Sequence, residues 1–93
     1  DAPQTAPHNV YPCAGDDQWL SIVASSDNEW QALAKVAGHA EWLEDARFVS
    51  PAARWKHRRE LDLVISAWTC HFTREELTRR LQAVGVPAFP SYT

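Results

Sequence analysis

The sequence predicts an α+β domain, built as an antiparallel β-hairpin or three-stranded sheet packed against three main helices. Two observations carry this reading. His8 to Gly38 runs as a strand, an acidic turn, a second strand, a capped helix and a glycine stop. Beyond it, the apolar residues recur at i, i+3, i+4 and i+7, the period of a helix with one buried face. Asp1 to Pro7, with two prolines and no periodicity, reads as a linker or lead-in from a larger domain, leaving residues 8–93 as the domain itself.

Val10–Tyr11 and Trp19–Ala24 are β-branched and aromatic runs, and Ala14-Gly15-Asp16-Asp17 between them has the composition of a turn. In the second run Trp19, Ser21 and Val23 point one way and Leu20, Ile22 and Ala24 the other. With both faces largely apolar, this strand is expected to be central or covered on both sides. Ser26 and Glu29 have the spacing of a capping box, in which each side chain accepts from the other residue's backbone N–H. Trp30, Leu33, Ala34 and Ala37 follow as one stripe, and Gly38 ends the helix where a positive φ is needed.

Glu41-Trp42-Leu43 suits a single helical turn, and Asp45 to Phe48 a connector anchored by its aromatic. Ser50-Pro51 has the cap and first-turn proline of a helix that runs to about Thr69, with a break or bend near His57. Its second half carries the stripe Leu61, Val64, Ile65 and Trp68, while its first half is polar and basic. Thr73 and Glu76 have capping-box spacing again, before Leu77, Leu81 and Val84 as a buried stripe and Gly85 as the stop. Val86 to Pro90 is extended and supplies a short strand beside the hairpin, where proline fits only an edge or an end.

The totals set limits. Ninety-three residues, 45% hydrophobic and 23% charged, suffice for one modest core. Five tryptophans supply much of the buried area. A net charge of −3 argues against a nucleic-acid surface, which needs a basic footprint. No apolar run has the length of a membrane span, and the start of the chain lacks a basic-then-apolar signal pattern. Cys13 and Cys70, the only cysteines, are expected as reduced and mostly buried thiols, which makes a cytoplasmic location the simplest expectation.

The residues offer little chemistry. The four histidines and two cysteines lack metal-ligand spacing, so no metal site is expected. Cys13 lacks the glycine-flanked turn that would expose a nucleophile, and Asp16–Asp17 suits a turn better than acid–base work. No catalytic residue is expected in this chain. The concentrated positive patch is Trp55-Lys56-His57-Arg58-Arg59, where Arg58 and Arg59 are candidates to hold the phosphates of a nucleotide-bearing ligand. The alternative is a solvated helix face balanced by Glu60 and Asp62.

A resemblance adds what the residues alone do not. Ala6-Pro7-His8, Val10-Tyr11-Pro12-Cys13, Gly15-Asp16-Asp17 and Trp19 resemble the entry to the smaller domain of the family III CoA-transferases, the CaiB/BaiF family. Glu29-Trp30, Leu33, Gly38, Arg47-Phe48, Arg54, Glu60-Leu61, Trp68-Thr69, Glu76-Leu77, Leu81 and Gly85-Val86-Pro87-Ala88 continue it in order. The resemblance implies a fragment of an enzyme that moves CoA between carboxylic acids, with acyl-CoA esters as substrates and no tightly bound cofactor. It also implies a larger domain of the same chain, an interlocked homodimer, and a nucleophilic aspartate that lies outside these residues and forms an aspartyl-CoA thioester. The fragment alone is then expected to be inactive, with the small domain shaping one side of the acyl-binding region. The lead-in lacks the glycine-rich loop of the formyl-CoA transferases, which weighs against oxalate or formate as the acid. Related acyl-CoA racemases are an alternative within the family. The alternative outside it is a protein-interaction module using exposed tryptophans, with Trp42 and Trp55, off the clear stripes, as the candidates.

Overall fold

The computed structural model describes residues 5–92. Strands β1 (His8–Pro12), β2 (Trp19–Val23) and β3 (Ala88–Ser91) form one antiparallel sheet in the order β1-β2-β3. The four helices are α1 (Asp27–Ala37), α2 (Pro51–Lys56), α3 (Arg58–Thr69) and α4 (Arg74–Ala83), with two 3-10 turns between α1 and α2. The α+β class, the three strands and the three main helices match the expectation, and β2 is the central strand. Of the lead-in, Asp1 to Gln4 lie outside the described residues, while Ala6 and Pro7 are buried. The Pro7 carbonyl accepts from the Ala24 N–H at 3.0 Å.

Register assigns the two faces of the sheet. Leu20 pairs with Tyr11 and Pro90, and Ile22 with Asn9 and Ala88, so these share one face. Tyr11, Leu20, Ile22 and Ala88 are buried under the helices, together with Ala24. Val10, Ser21 and Phe89 form the central row of the other face, which is half-buried or exposed. The sheet is therefore covered on one side.

The local rules hold at α1. Ser26 Oγ accepts from the Glu29 N–H at 3.1 Å, the Glu29 carboxylate accepts from the Ser26 N–H at 3.2 Å, and Gly38 closes the helix at φ 73°. Burial alone would raise the Glu29 pKa, but its hydrogen bonds from Ser26 and Ser25 outweigh that and lower it. The anticipated break falls at His57, where α2 ends and α3 begins.

Three details differ from expectation. The second capping box is half formed: Thr73 accepts from the Glu76 N–H, while the Glu76 carboxylate turns to Arg80, 3.6 Å away. Val84 is exposed because α4 ends at Ala83, and Val86 takes the buried place instead. Cys70 is also exposed, since it caps α3 beyond the buried stripe of Leu61, Ile65, Trp68 and Thr69.

Tryptophan burial corrects the expected interaction patch. Trp30 and Trp42 stack with ring centroids 5.9 Å apart, and Trp68 meets Trp42 edge-on at 6.3 Å. These three form an aromatic spine, with Phe48 packed edge-on against Trp30. Trp42 is only 5% exposed, and Trp55 is half-buried with the Arg58 guanidinium 4.1 Å above its ring. The two do not form an exposed patch. An apolar chain this short buries its large rings wherever helices meet, even off the regular stripe.

Arg54 is the unexpected member of the core. It is 1% exposed, and its guanidinium donates to the Phe48 carbonyl at 3.0 Å and to Asp27 Oδ1 at 2.8 Å. One side chain thus joins α2 to the second 3-10 turn and to the first residue of α1. Across β1, the Tyr11 hydroxyl donates to Asp62 Oδ1 at 2.6 Å and Asn9 Nδ2 donates to Asp62 Oδ2 at 3.0 Å, which ties α3 to the sheet edge. Burial first, and then Asp62, raises the Tyr11 pKa well above the usual tyrosine range. Asp62 is thus engaged with β1 rather than with the basic run.

Replacing Arg54 with Met keeps the aliphatic stem but strands the Phe48 carbonyl, and is expected to cost about 2 kcal/mol. Urea denaturation with an unchanged m-value is the measurement. Arg54→Lys is expected to recover less than half of the loss, because one ammonium cannot reproduce the forked contact to both acceptors.

Candidate functional site

Two regions collect polar side chains that could meet a ligand. The first is the α2–α3 junction. The turn at His57 places Arg58 and Arg59 at the first two positions of α3, both exposed. Arg58 stays over Trp55 because its Nη1 donates to the Trp55 carbonyl at 2.9 Å. The His57 ring lies 3.0 Å from the Glu60 carboxylate, and this contact is the main cause that lowers the Glu60 pKa. Arg59 and Lys56 have no ion-pair partner among the described residues, whereas Arg47 nearby is committed to Asp45 through a two-pronged contact at 3.0 and 2.7 Å. That pairing holds the Asp45 carboxyl at about 2, below its ordinary 3.8.

The second region was not anticipated. A depression of about 570 Å³ opens between the end of α1, the first 3-10 turn and α3. Trp42, Trp68 and Phe72 form its apolar lining, and His39, Glu41 and His71 supply its polar groups. His39 lies flat against Trp42, centroids 4.8 Å apart, and its Nδ1 is 2.7 Å from the Glu41 carboxylate. The contact from His39 lowers the Glu41 pKa. A carboxylate-oriented imidazole can move a proton, but no serine or cysteine lines this depression to serve as a nucleophile. Its only sequence signal is that both histidines follow helix ends, which is too common to single them out.

The other candidates keep structural roles. Burial raises the Cys13 thiol to about 11 from its ordinary 9.0, which makes it a poor nucleophile. Asp17 adopts φ 54° in the hairpin turn, and its carboxylate accepts from the Trp19 indole N–H at 3.0 Å. Both cysteines are free, and no cluster of three or more metal-ligating side chains occurs among the described residues. No helix among them is long and apolar enough to cross a membrane.

Against known proteins, the sequence model of the CoA-transferase family III matches residues 1–93. The chain belongs to that family. Over 91 residues it is 41% identical to the succinyl-CoA–D-citramalate CoA-transferase of Chloroflexus aurantiacus, covering 98% of this chain and 22% of that protein. Over 88 residues it is 44% identical to the Probable CoA-transferase Rv1866 of Mycobacterium tuberculosis, covering 95% of this chain and 11% of that protein. The crystal structure of a CaiB/BaiF family protein from Brucella suis superposes with a TM-score of 0.91 at 28% identity, over 99% of this chain and 24% of that one. The chain thus spans a quarter or less of the length of these relatives, and corresponds to a small CoA-transferase domain.

Thiol modification separates the two cysteines. Iodoacetamide at pH 8 is expected to label Cys70 and spare Cys13 until the protein unfolds, with intact mass spectrometry as the readout. Because the folded Cys13 pKa is raised, its contribution to stability is complete below pH 9 and is lost as the pH rises towards about 11. A Cys13→Ala variant is expected to flatten that alkaline decline in a series of urea melts.

Proposed function

We propose that this chain is the small domain of a longer family III CoA-transferase, one that moves CoA from an acyl-CoA ester to a free carboxylic acid. The observation that carries the reading is the identity of 41% sustained over 98% of the chain to a named CoA-transferase that is more than four times as long. The nucleophile belongs to the remainder of the polypeptide. Its aspartate attacks the thioester carbonyl and releases CoA as a thiolate, leaving a mixed anhydride. The thiolate returns to the aspartyl carbonyl, which frees the donor acid and forms the aspartyl-CoA thioester. The acceptor carboxylate then attacks that thioester and reverses the sequence. The small domain shapes one side of the acyl-binding region and takes part in an interlocked homodimer. Transfer is favoured over racemisation because both relatives above 40% identity are named CoA-transferases.

Within this reading Arg58 and Arg59 offer two exposed guanidinium groups to the phosphates of CoA, at a helix start whose dipole also favours anions. Arg58 is held in place by Trp55, so less freedom is lost when it binds.

Incubation of residues 1–93 with succinyl-CoA and a carboxylic acid is expected to give no exchange, while the complete protein transfers CoA. Turnover by the 93 residues alone overturns the assignment of the nucleophile to the remainder. In the complete protein, Arg58→Glu with Arg59→Glu is expected to raise KM for the CoA ester about tenfold or more, from two lost charge-assisted contacts, with kcat little changed. An unchanged KM removes the phosphate role.

A further inference from the structure

A third recess, smaller than the His39 depression, lies where the start of α1 meets α2 and the two 3-10 turns. Its volume is about 180 Å³, the liquid volume of about six water molecules. Trp30 and Arg54 line it, 2% and 1% exposed, and each brings a buried donor that has no acceptor among the described residues. These donors are the Trp30 indole N–H and the Arg54 Nε–H, the one guanidinium nitrogen not engaged by Phe48 or Asp27. They belong to adjacent groups, since the Arg54 guanidinium carbon lies 5.5 Å from the Trp30 ring centroid. A buried donor without an acceptor carries a desolvation cost that a ligand oxygen relieves.

The charges decide which kind of acceptor fits. Asp27 Oδ1 already holds Arg54 at 2.8 Å, so guanidinium and carboxylate balance, and a second carboxylate would meet Asp27 as a like charge. A neutral carbonyl oxygen meets no such repulsion. Asp27 is exposed and lines the recess, so it can accept from a ligand N–H. Leu43, Phe48 and Val49 supply apolar wall. Two donors, one acceptor and apolar flanks match a secondary amide set between methylene groups. We propose that this recess binds a secondary amide of the pantetheine arm of the CoA ester, an inference that rests on the CoA transfer proposed above. That arm carries two such amides between the nucleotide phosphates and the thiol. Arg58, the phosphate candidate, follows Arg54 by four positions across the turn at His57, so the phosphate contact and the recess adjoin one junction.

Kinetics of the complete protein with succinyl thioesters of CoA, of pantetheine and of propanethiol, which has no amide, test this. Trp30→Phe removes the indole N–H and keeps an aromatic ring against Trp42. Asp27→Asn keeps an oxygen for Arg54, replaces the other with a donor that cannot accept from the amide, and changes an exposed side chain, so folding is spared. Each variant is expected to raise KM for the CoA and pantetheine thioesters about fivefold, the effect of one neutral hydrogen bond, with kcat little changed. The propyl thioester is expected to respond less than twofold. An unchanged KM for succinyl-pantetheine overturns the amide site. An equal rise for the propyl thioester overturns it as well, because the loss is then general, and a rise confined to succinyl-CoA overturns it by assigning the recess to the nucleotide. Transfer by the unaltered protein keeps the two readings apart: transfer with any of these three results sinks only the amide site, and no transfer from any donor sinks both.

Discussion

The fold rests on a sheet of three strands with helices on one side only. β2 carries Leu20, Ile22 and Ala24 inward, and α1, the 3-10 turns, α3 and α4 gather over that side because the largest continuous apolar area lies there. Among the described residues, no helix covers the opposite side. The one-sidedness orders everything else: it sets which residues become core, and places the basic junction and the His39 depression on helices rather than on strands.

The helical layer is joined by a few polar contacts that apolar packing cannot replace. Arg54 joins α2, the second 3-10 turn and α1, while Asp62 joins α3 to β1. At the far end of α3 the Thr69 hydroxyl donates to the Pro12 carbonyl at 2.7 Å. Hydrophobic burial is non-directional and would accept several arrangements of short helices. Buried donors and acceptors accept few, because each unpaired group carries a desolvation cost.

The same economy bears on function. The chain belongs to a family of CoA-transferases, yet its most inviting reactive groups serve the fold: the Cys13 thiol is buried and protonated, and Asp17 holds an indole. What the domain offers a ligand is surface. Two arginines stand at a helix start, and an aromatic depression carries an oriented imidazole. Under the function proposed above, such a domain contributes walls and charge to a site whose nucleophile lies in the remainder of the polypeptide.

Local order was legible from the residues. The hairpin, the Ser26–Glu29 cap and the Gly38 stop follow from rules acting over four or five positions, and a single chain displays them without knowledge of its neighbours. The family resemblance was likewise a property of the string. Tertiary structure decided what depends on distant partners. Arg54 reads as one more cation in a basic run, and only the approach of Phe48 and Asp27 makes it interior. Trp42 and Trp55 look free because they fall off the helical stripes, and packing against Trp30, Trp68 and Arg58 covers them. The two sides of β2 look almost equally apolar in sequence, and only the placement of the helices decides which is core. At these positions burial depends on segments far apart in the chain, so no local pattern encodes it there.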